Sequence, residues 1–376
     1  MTLNSGRNKK FNMTGQQKRF ISLDVFRGMT IALMILVNTP GSWSYVYPPL
    51  RHAQWHGLTL TDLVFPFFLF IVGTAMMFSF SKYDFCRTKE VYQKIAKRTA
   101  IIFLIGLLGH LYGTLVLGIE IGNFRIMGVL QRIALCYGIA AVLVLRFKIQ
   151  HLWIILIVSL IGYWQLLAWN GGYKLETNFT RTVDIAILGA SHLYKGTGIP
   201  FDPEGLLSTI PSIMTVLLGF FAGVMIHSAT DQVDNVKKML IMGALLILTG
   251  WAWSFVFPIN KQLWTSPYVL VTGGIAFMTL AVLIWVIDIN TMKKPFHAFE
   301  IFGTNSLFVY AASGVWTNTM LWLQVDNRSL YSFMYTDWFV PLAGNMNGSL
   351  LFALANVAVW WVILYLMYRK KIFIKI

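Results

Sequence analysis

The segment 51–62 places Arg51, His52, Trp55, His56 and Asp62 immediately ahead of a long apolar run. His52 and His56 are one helical turn apart, and Asp62 follows at the head of the next helix. Three readings are open for this group. The residues are solvated loop groups; or the two imidazoles and the carboxylate are metal ligands, although neither a third histidine nor an HExxH pattern accompanies them; or a histidine takes a proton from an incoming nucleophile near neutral pH, with Asp62 orienting it or pairing with a cation.

Other polar groups interrupt apolar sequence. Asp24 and Arg27 are three residues apart on one helical face and read as a local ion pair or as a cation meeting an anionic ligand. Asn38 stands just before Pro40 and Gly41, where a helix must end or distort. Gln131 and Arg132 fall inside an apolar run, so Arg132 needs a partner such as Asp62 or Glu120, or a wet cavity. Asp202 and Glu204 precede another run, where carboxylates also suit the first turn of a helix. Asn260, Lys261 and Trp264 stand at the entrance to a further run, and Asn305 opens yet another. His110, His151, His192, His227 and His297 read as packed, interfacial or solvated side chains. Cys86 and Cys136 are isolated, without the spacing of a disulfide framework or a zinc site.

The elements that carry these groups follow from composition. Of 376 residues, 57% are hydrophobic and 12% charged, with mean hydropathy +0.64; a soluble domain carries about 25% charged residues. Continuous apolar runs predict an all-α polytopic membrane protein with about ten transmembrane helices in one bundle: 23–45, 60–80, 99–119, 126–145, 152–170, 206–227, 239–257, 267–287, 298–318 and 347–368. Residues 1–22 form a basic tail, and 23–376 read as a single transmembrane domain.

With the amino terminus inside, the cytoplasmic segments hold 21 Lys and Arg against 7 outside (Arg51, Arg125, Lys174, Arg181, Lys195, Lys261, Arg328). This bias places both termini in the cytoplasm and loops near 46–59, 171–205, 258–266 and 319–346 outside. The net charge of +15 therefore belongs to membrane topology and excludes nucleic-acid binding as its explanation. Fourteen Trp and fifteen Tyr suit interfacial belts as well as a binding cavity. No repeat supports an inverted-repeat transporter.

The runs SLDVFRGMTIALMILVN and HAQWHGLTLTDLVFPFFLFIVG, followed in order by GVLQRIALCY, DPEGLLSTIPSIMTVLLGFFAG, NKQLWTS and GTNSLFVY, resemble the heparan-α-glucosaminide N-acetyltransferase family, especially its bacterial members. The resemblance covers the chain from about residue 19. It implies a membrane acyltransferase that takes acetyl from cytosolic acetyl-CoA and passes it to the amino group of a glucosamine on the opposite side. The family's catalytic histidine falls on His52, and an asparagine important in the family falls on Asn38. The resemblance makes Trp55, His56, Asp62, Asp202, Glu204 and Trp264 candidates for the acceptor side. Arg27, Arg98, Gln131, Arg132 and Asn305 become candidates for holding acetyl-CoA, whose phosphates need a basic rim. No metal is expected.

Two departures stand out. The lysosomal members carry an additional amino-terminal luminal region and span, and the segment TPGSWSYVYPPLR is longer here, which bears on the acceptor pocket. A short polar amino-terminal tail without a presequence suits a bacterial inner membrane, and the reading allows a homodimer. The mechanism expected is His52 as general base or as acetyl carrier, with Asn38 donating to the oxyanion. Rival functions are a transporter for an amino sugar or cell-wall fragment, and an O-acetyltransferase of an envelope glycan.

Overall fold

A computed structural model describes residues 20–374; the basic amino-terminal tail lies almost wholly outside the described residues. Helix α1 (Ile21–Asn38) stops earlier than its apolar run suggests. The Thr39 hydroxyl donates back to the Ile35 carbonyl at 2.8 Å, and Pro40 has no N–H with which to continue the ladder. A loop with short 3₁₀ turns at Pro48–Leu50 and Thr61–Leu63 leads into α2 (Val64–Ser81).

Helix α3 (Lys89–Val116) starts well before its expected limit, because Thr88 accepts the Val91 N–H as a cap and Glu90 occupies the first turn. There follow α4 (Val129–Arg146), α5 (Ile149–Trp169), the short α6 (Phe179–Leu188), α7 (Thr209–Ser228), α8 (Gln232–Trp253) and α9 (Ser266–Leu283). Helix α9 runs on through a π-helical segment, Ile284–Ile289.

Among the described residues, nine helical segments are long and apolar enough to cross a membrane. The protein is an all-α polytopic membrane protein. The span expected over 298–318 is in two pieces, α10 (His297–Thr304) and α11 (Ser306–Trp322), divided at Asn305. The loop expected over 319–346 is largely ordered. A hairpin of β1 (Gln324–Val325) and β2 (Arg328–Ser329) leads to α12 (Leu330–Met334), a π-helical turn and α13 (Val340–Arg369). Helix α13 is kinked at Gly344, whose φ of 74° few other residues tolerate.

Two helix contacts fix the site. Helices α2 and α7 meet backbone to backbone: a Cβ on Gly219 would stand 1.9 Å from the Phe70 carbonyl oxygen, and one on Gly73 1.9 Å from that of Val216. Helices α1 and α10 meet in the same way through Gly28 and Gly303. Small residues permit this approach where lipid supplies no hydrophobic drive between helices. Helix α7 is almost wholly enclosed, whereas α3, α5 and α8 present Leu104, Leu108, Ile157, Val158, Leu245 and Leu248 outward. Those faces match acyl chains and would be costly in water.

Candidate active site

The loop between α1 and α2 is organised by one carboxylate. Asp62, 1% exposed, accepts at Oδ2 from the Ala53 N–H (3.1 Å), the Thr59 N–H (3.1 Å) and the Thr59 hydroxyl (2.9 Å). Its Oδ1 lies 2.7 Å from His52 Nδ1, and its backbone carbonyl accepts from the Tyr268 hydroxyl at 2.6 Å. Ala53 and Thr59 are thereby drawn to one point, and His52 is held at the rim.

With Nδ1–H donating to Asp62, Nε2 keeps its lone pair, the arrangement of an oriented base. Lys261 reaches the same pair from the other side of the chain, its Nζ 3.0 Å from His52 Nδ1 and 3.5 Å from Asp62 Oδ1. It is presented by a tight turn in which Asn260 Oδ1 accepts the Leu263 N–H and the Thr265 N–H donates to the Asn260 carbonyl. Trp264, at φ 52°, closes that turn in the left-handed region, sustained by its packing. Burial pushes the Lys261 ammonium below its ordinary range, against the pull of Asp62 and Glu204.

His52, Asp62 and Lys261 line a cavity of about 370 Å³ with Asn38, Trp55, Arg125, Glu204 and Tyr310. Asn38, the last residue of α1, is exposed to this space, and no hydrogen bond holds its side-chain amide among the described residues. Trp55 is fixed by its indole N–H, which donates to the Tyr173 carbonyl at 2.7 Å, and by an edge contact with Phe201. Arg125 binds Asp202 through two hydrogen bonds (2.9 and 2.7 Å) and Glu204 through a third (2.5 Å). Burial opposes its charge, but the two carboxylates outweigh burial and hold Arg125 firmly protonated.

Several expected acceptor-side residues stand elsewhere. His56 does not line the cavity; its Nδ1 faces the Asn260 amide at 3.3 Å. Asp202 is buried behind the wall, where it holds Arg125 and the Glu204 N–H; its partner is this arginine and not the dipole of α7. Trp264 is core, with its N–H on Thr215 and its ring against Phe65 and Tyr268.

A second cavity, of about 360 Å³, opens at the opposite end of α1 and is lined by Arg27, Arg98, Tyr137, Gly303, Thr304, Ser306 and Ile374. Arg27 donates to Asp24 (3.3 Å) and to the Gly303 carbonyl (3.4 Å), so the expected ion pair and a place on a cavity wall coincide. The Arg98 guanidinium lies over the Tyr137 ring at 4.7 Å. Phe68 of α2 and Ile133 of α4 line both cavities.

The other expected donor-side residues do not themselves line this space, although Asn305 adjoins it between Thr304 and Ser306. Gln131 is buried beside His110 and Gly106. Arg132 lies in the first turn of α4, fully buried. It pairs with neither Asp62 nor Glu120, donating instead to the Gly205 carbonyl and the Ser208 hydroxyl beneath the Trp264 ring. Asn305 joins the break between α10 and α11 to the carboxyl-terminal segment: it donates to the Ile372 carbonyl (3.0 Å) and accepts the Ile374 N–H (2.8 Å). Among the described residues no three His, Cys, Asp or Glu side chains cluster as metal ligands.

Sequence reading overlooked Arg125, Tyr310, Phe68 and Ile133 as cavity residues, and it placed Lys261 at the entrance without linking it to His52. All five sit inside or beside the motifs already noted, but their convergence is long-range.

Residues 19–257 match the family described as heparan-alpha-glucosaminide N-acetyltransferase, catalytic. The chain belongs to that family. Among curated relatives, the human heparan-alpha-glucosaminide N-acetyltransferase is 30% identical over 95% of this chain and 60% of its own length. The mouse protein of the same name is 28% identical over the same shares. The chain thus spans about three fifths of the relatives it matches. The family match takes in Asn38, His52, Asp62, Arg125 and Glu204; Lys261 and Tyr310 lie beyond its end.

Proposed function

We propose that the protein is a transmembrane N-acetyltransferase that moves acetyl from acetyl-CoA in the Arg27–Arg98 cavity to the amino group of a glucosamine-type sugar in the His52 cavity. The observation that carries this reading is the pairing of the two cavities. One holds an oriented imidazole, the other two guanidiniums, and Phe68 and Ile133 stand in the walls of both. Family membership supports the reaction class, and the names of the human and mouse relatives support the amino sugar.

The charge bias of the loops supports a cytosolic Arg27 face and an extracytosolic His52 face. A cavity of about 360 Å³ suits the acetyl-pantetheine arm, with the nucleotide phosphates left at the mouth near the arginines. The incoming sugar is an ammonium and lacks a nucleophilic lone pair. His52 Nε2 accepts one of its protons; the free amine nitrogen bonds to the thioester carbon; and Asn38 donates to the carbonyl oxygen as it gains charge. His52 releases that first proton to solvent, takes the second from the nitrogen of the tetrahedral adduct, and passes it to the sulfur as the C–S bond breaks. The amide thus forms neutral, CoA leaves as the thiol and one proton is released overall. Asp62 keeps Nδ1 protonated throughout, so Nε2 is the nitrogen that cycles.

The test is free-thiol release from acetyl-CoA by the purified protein with glucosamine, with its hydroxyl analogue and with no acceptor. Thiol release that requires the amine and is abolished by His52→Ala is the expected result. Thiol release that ignores the acceptor, or full activity in His52→Ala, contradicts it.

A further inference from the structure

His52 Nδ1 has two neighbours of opposite charge within hydrogen-bond reach, Asp62 Oδ1 at 2.7 Å and Lys261 Nζ at 3.0 Å. A neutral imidazole carries a single N–H. Directed at Asp62, it leaves Nε2 free for the cavity and gives the Lys261 ammonium nothing to donate to on the ring. That ammonium has Asp62 Oδ1 at 3.5 Å in its place.

A second proton on the ring would put an imidazolium beside the ammonium. Asp62 alone, buried and already saturated at Oδ2, would favour that imidazolium and so extinguish the base. We propose that Lys261 is a positioning residue that offsets the charge of Asp62, so that the His52 ring is oriented by the carboxylate yet remains neutral, with Nε2 unprotonated. This rests on the reading of His52 as the base.

The remaining charged groups around the cavity leave Lys261 as the balance. Arg125 is shared between Asp202 and Glu204, which leaves that cluster one negative charge in excess, a charge that Lys261 also faces. Arg51 donates to the Val46 and Ser44 carbonyls, His56 is turned onto Asn260, and Tyr310 lines the same cavity.

The experiment compares Lys261→Met and Lys261→Arg with the parent by two readouts. The first is the pH dependence of kcat/KM for thiol release. Lys261→Met is expected to move the acidic limb toward neutral pH by about one unit, and Lys261→Arg to restore the limb. An unmoved limb with a raised KM for the amino sugar would make Lys261 an acceptor contact, and an equal loss at all pH values would make it structural; either result overturns the proposal.

The second readout needs no substrate. Diethyl pyrocarbonate acylates only neutral imidazole, so the His52-dependent rate, taken against His52→Ala, reports the ring's protonation directly. Its onset is expected to rise by about one pH unit in Lys261→Met; an unchanged onset overturns the proposal. If the parent releases no thiol, the transferase reading fails while the reagent still decides the role of Lys261.

Discussion

Phe68 of α2 and Ile133 of α4 each face both cavities, so the floor of the His52 cavity and the roof of the Arg27 cavity share side chains. Side chains change rotamer far more readily than a backbone layer moves. On the proposed transfer, side-chain shifts at these two residues would be the displacement that joins the two spaces.

Phe68→Trp thickens this layer without removing a polar group. We expect thiol release to fall by about tenfold or more, with melting temperature little changed, because overpacking costs only about 1–3 kcal/mol while blocked positioning acts directly on rate. A Phe68→Trp protein with the parent's kcat would show that acetyl does not pass between these residues.

Asp62 both orients His52 and gathers the loop through Ala53 and Thr59. Asp62→Asn keeps the shape, but if its single carbonyl oxygen still accepts from Ala53 and Thr59, its N–H₂ faces His52 Nδ1, which must then accept and leaves the ring proton on Nε2. Turned the other way, it loses the loop donors. Thiol release is expected to drop by about two or more orders of magnitude, and stability by about 1–3 kcal/mol. Thermal melting beside the rate assay separates the two. A stability loss without a rate loss would reduce Asp62 to a loop staple.

Asp184 in α6 gives a pH signature of its own. Burial pushes its carboxyl from 3.8 up to about 7, against the Leu206 N–H that donates to it. A folded-state value above the unfolded one means that its contribution to stability is fully present below about pH 4 and is lost as pH rises, the loss being complete once pH passes about 7. Asp184→Asn mimics the protonated form. The melting temperature of the parent relative to this variant should decline between these limits and level off above them; a constant difference would contradict the burial argument.

Asn305 is a structural tie in this fold, through its hydrogen bonds to Ile372 and Ile374. Asn305→Ala should speed tryptic cleavage after Lys370 and Lys371 in the folded protein by about tenfold, since local opening governs such cleavage. Unchanged cleavage would mean that the segment is held by other contacts.

The bundle was legible in the sequence because apolar runs of spanning length admit few other structures. Pro40–Gly41 also marked an end or distortion of α1 for a local reason, although the apolar run continues to residue 45. The division at Asn305 was hidden, because that side chain's partners come from the carboxyl-terminal segment. Trp264 and Arg132 show a second limit. An aromatic near a span end suits an interface or a core, and an arginine suits a ligand or a carbonyl and a ring face; residue type does not separate these cases. Pairings such as Arg125 with Asp202 and Lys261 with His52 join distant parts of the chain, so no local pattern announces them. His52 and Asp62, by contrast, share one loop, and a histidine oriented by Asp62 was one of the three readings open for that loop.

The decisive measurement uses proteoliposomes in which the amino sugar is trapped on one side and acetyl-CoA is supplied only on the other. With acetyl-CoA at the Arg27 face and sugar at the His52 face, N-acetylated sugar should accumulate in the sugar compartment, and His52→Ala should yield none. Product formed only when both substrates share a compartment, or formed equally by His52→Ala, would contradict transfer between the two cavities.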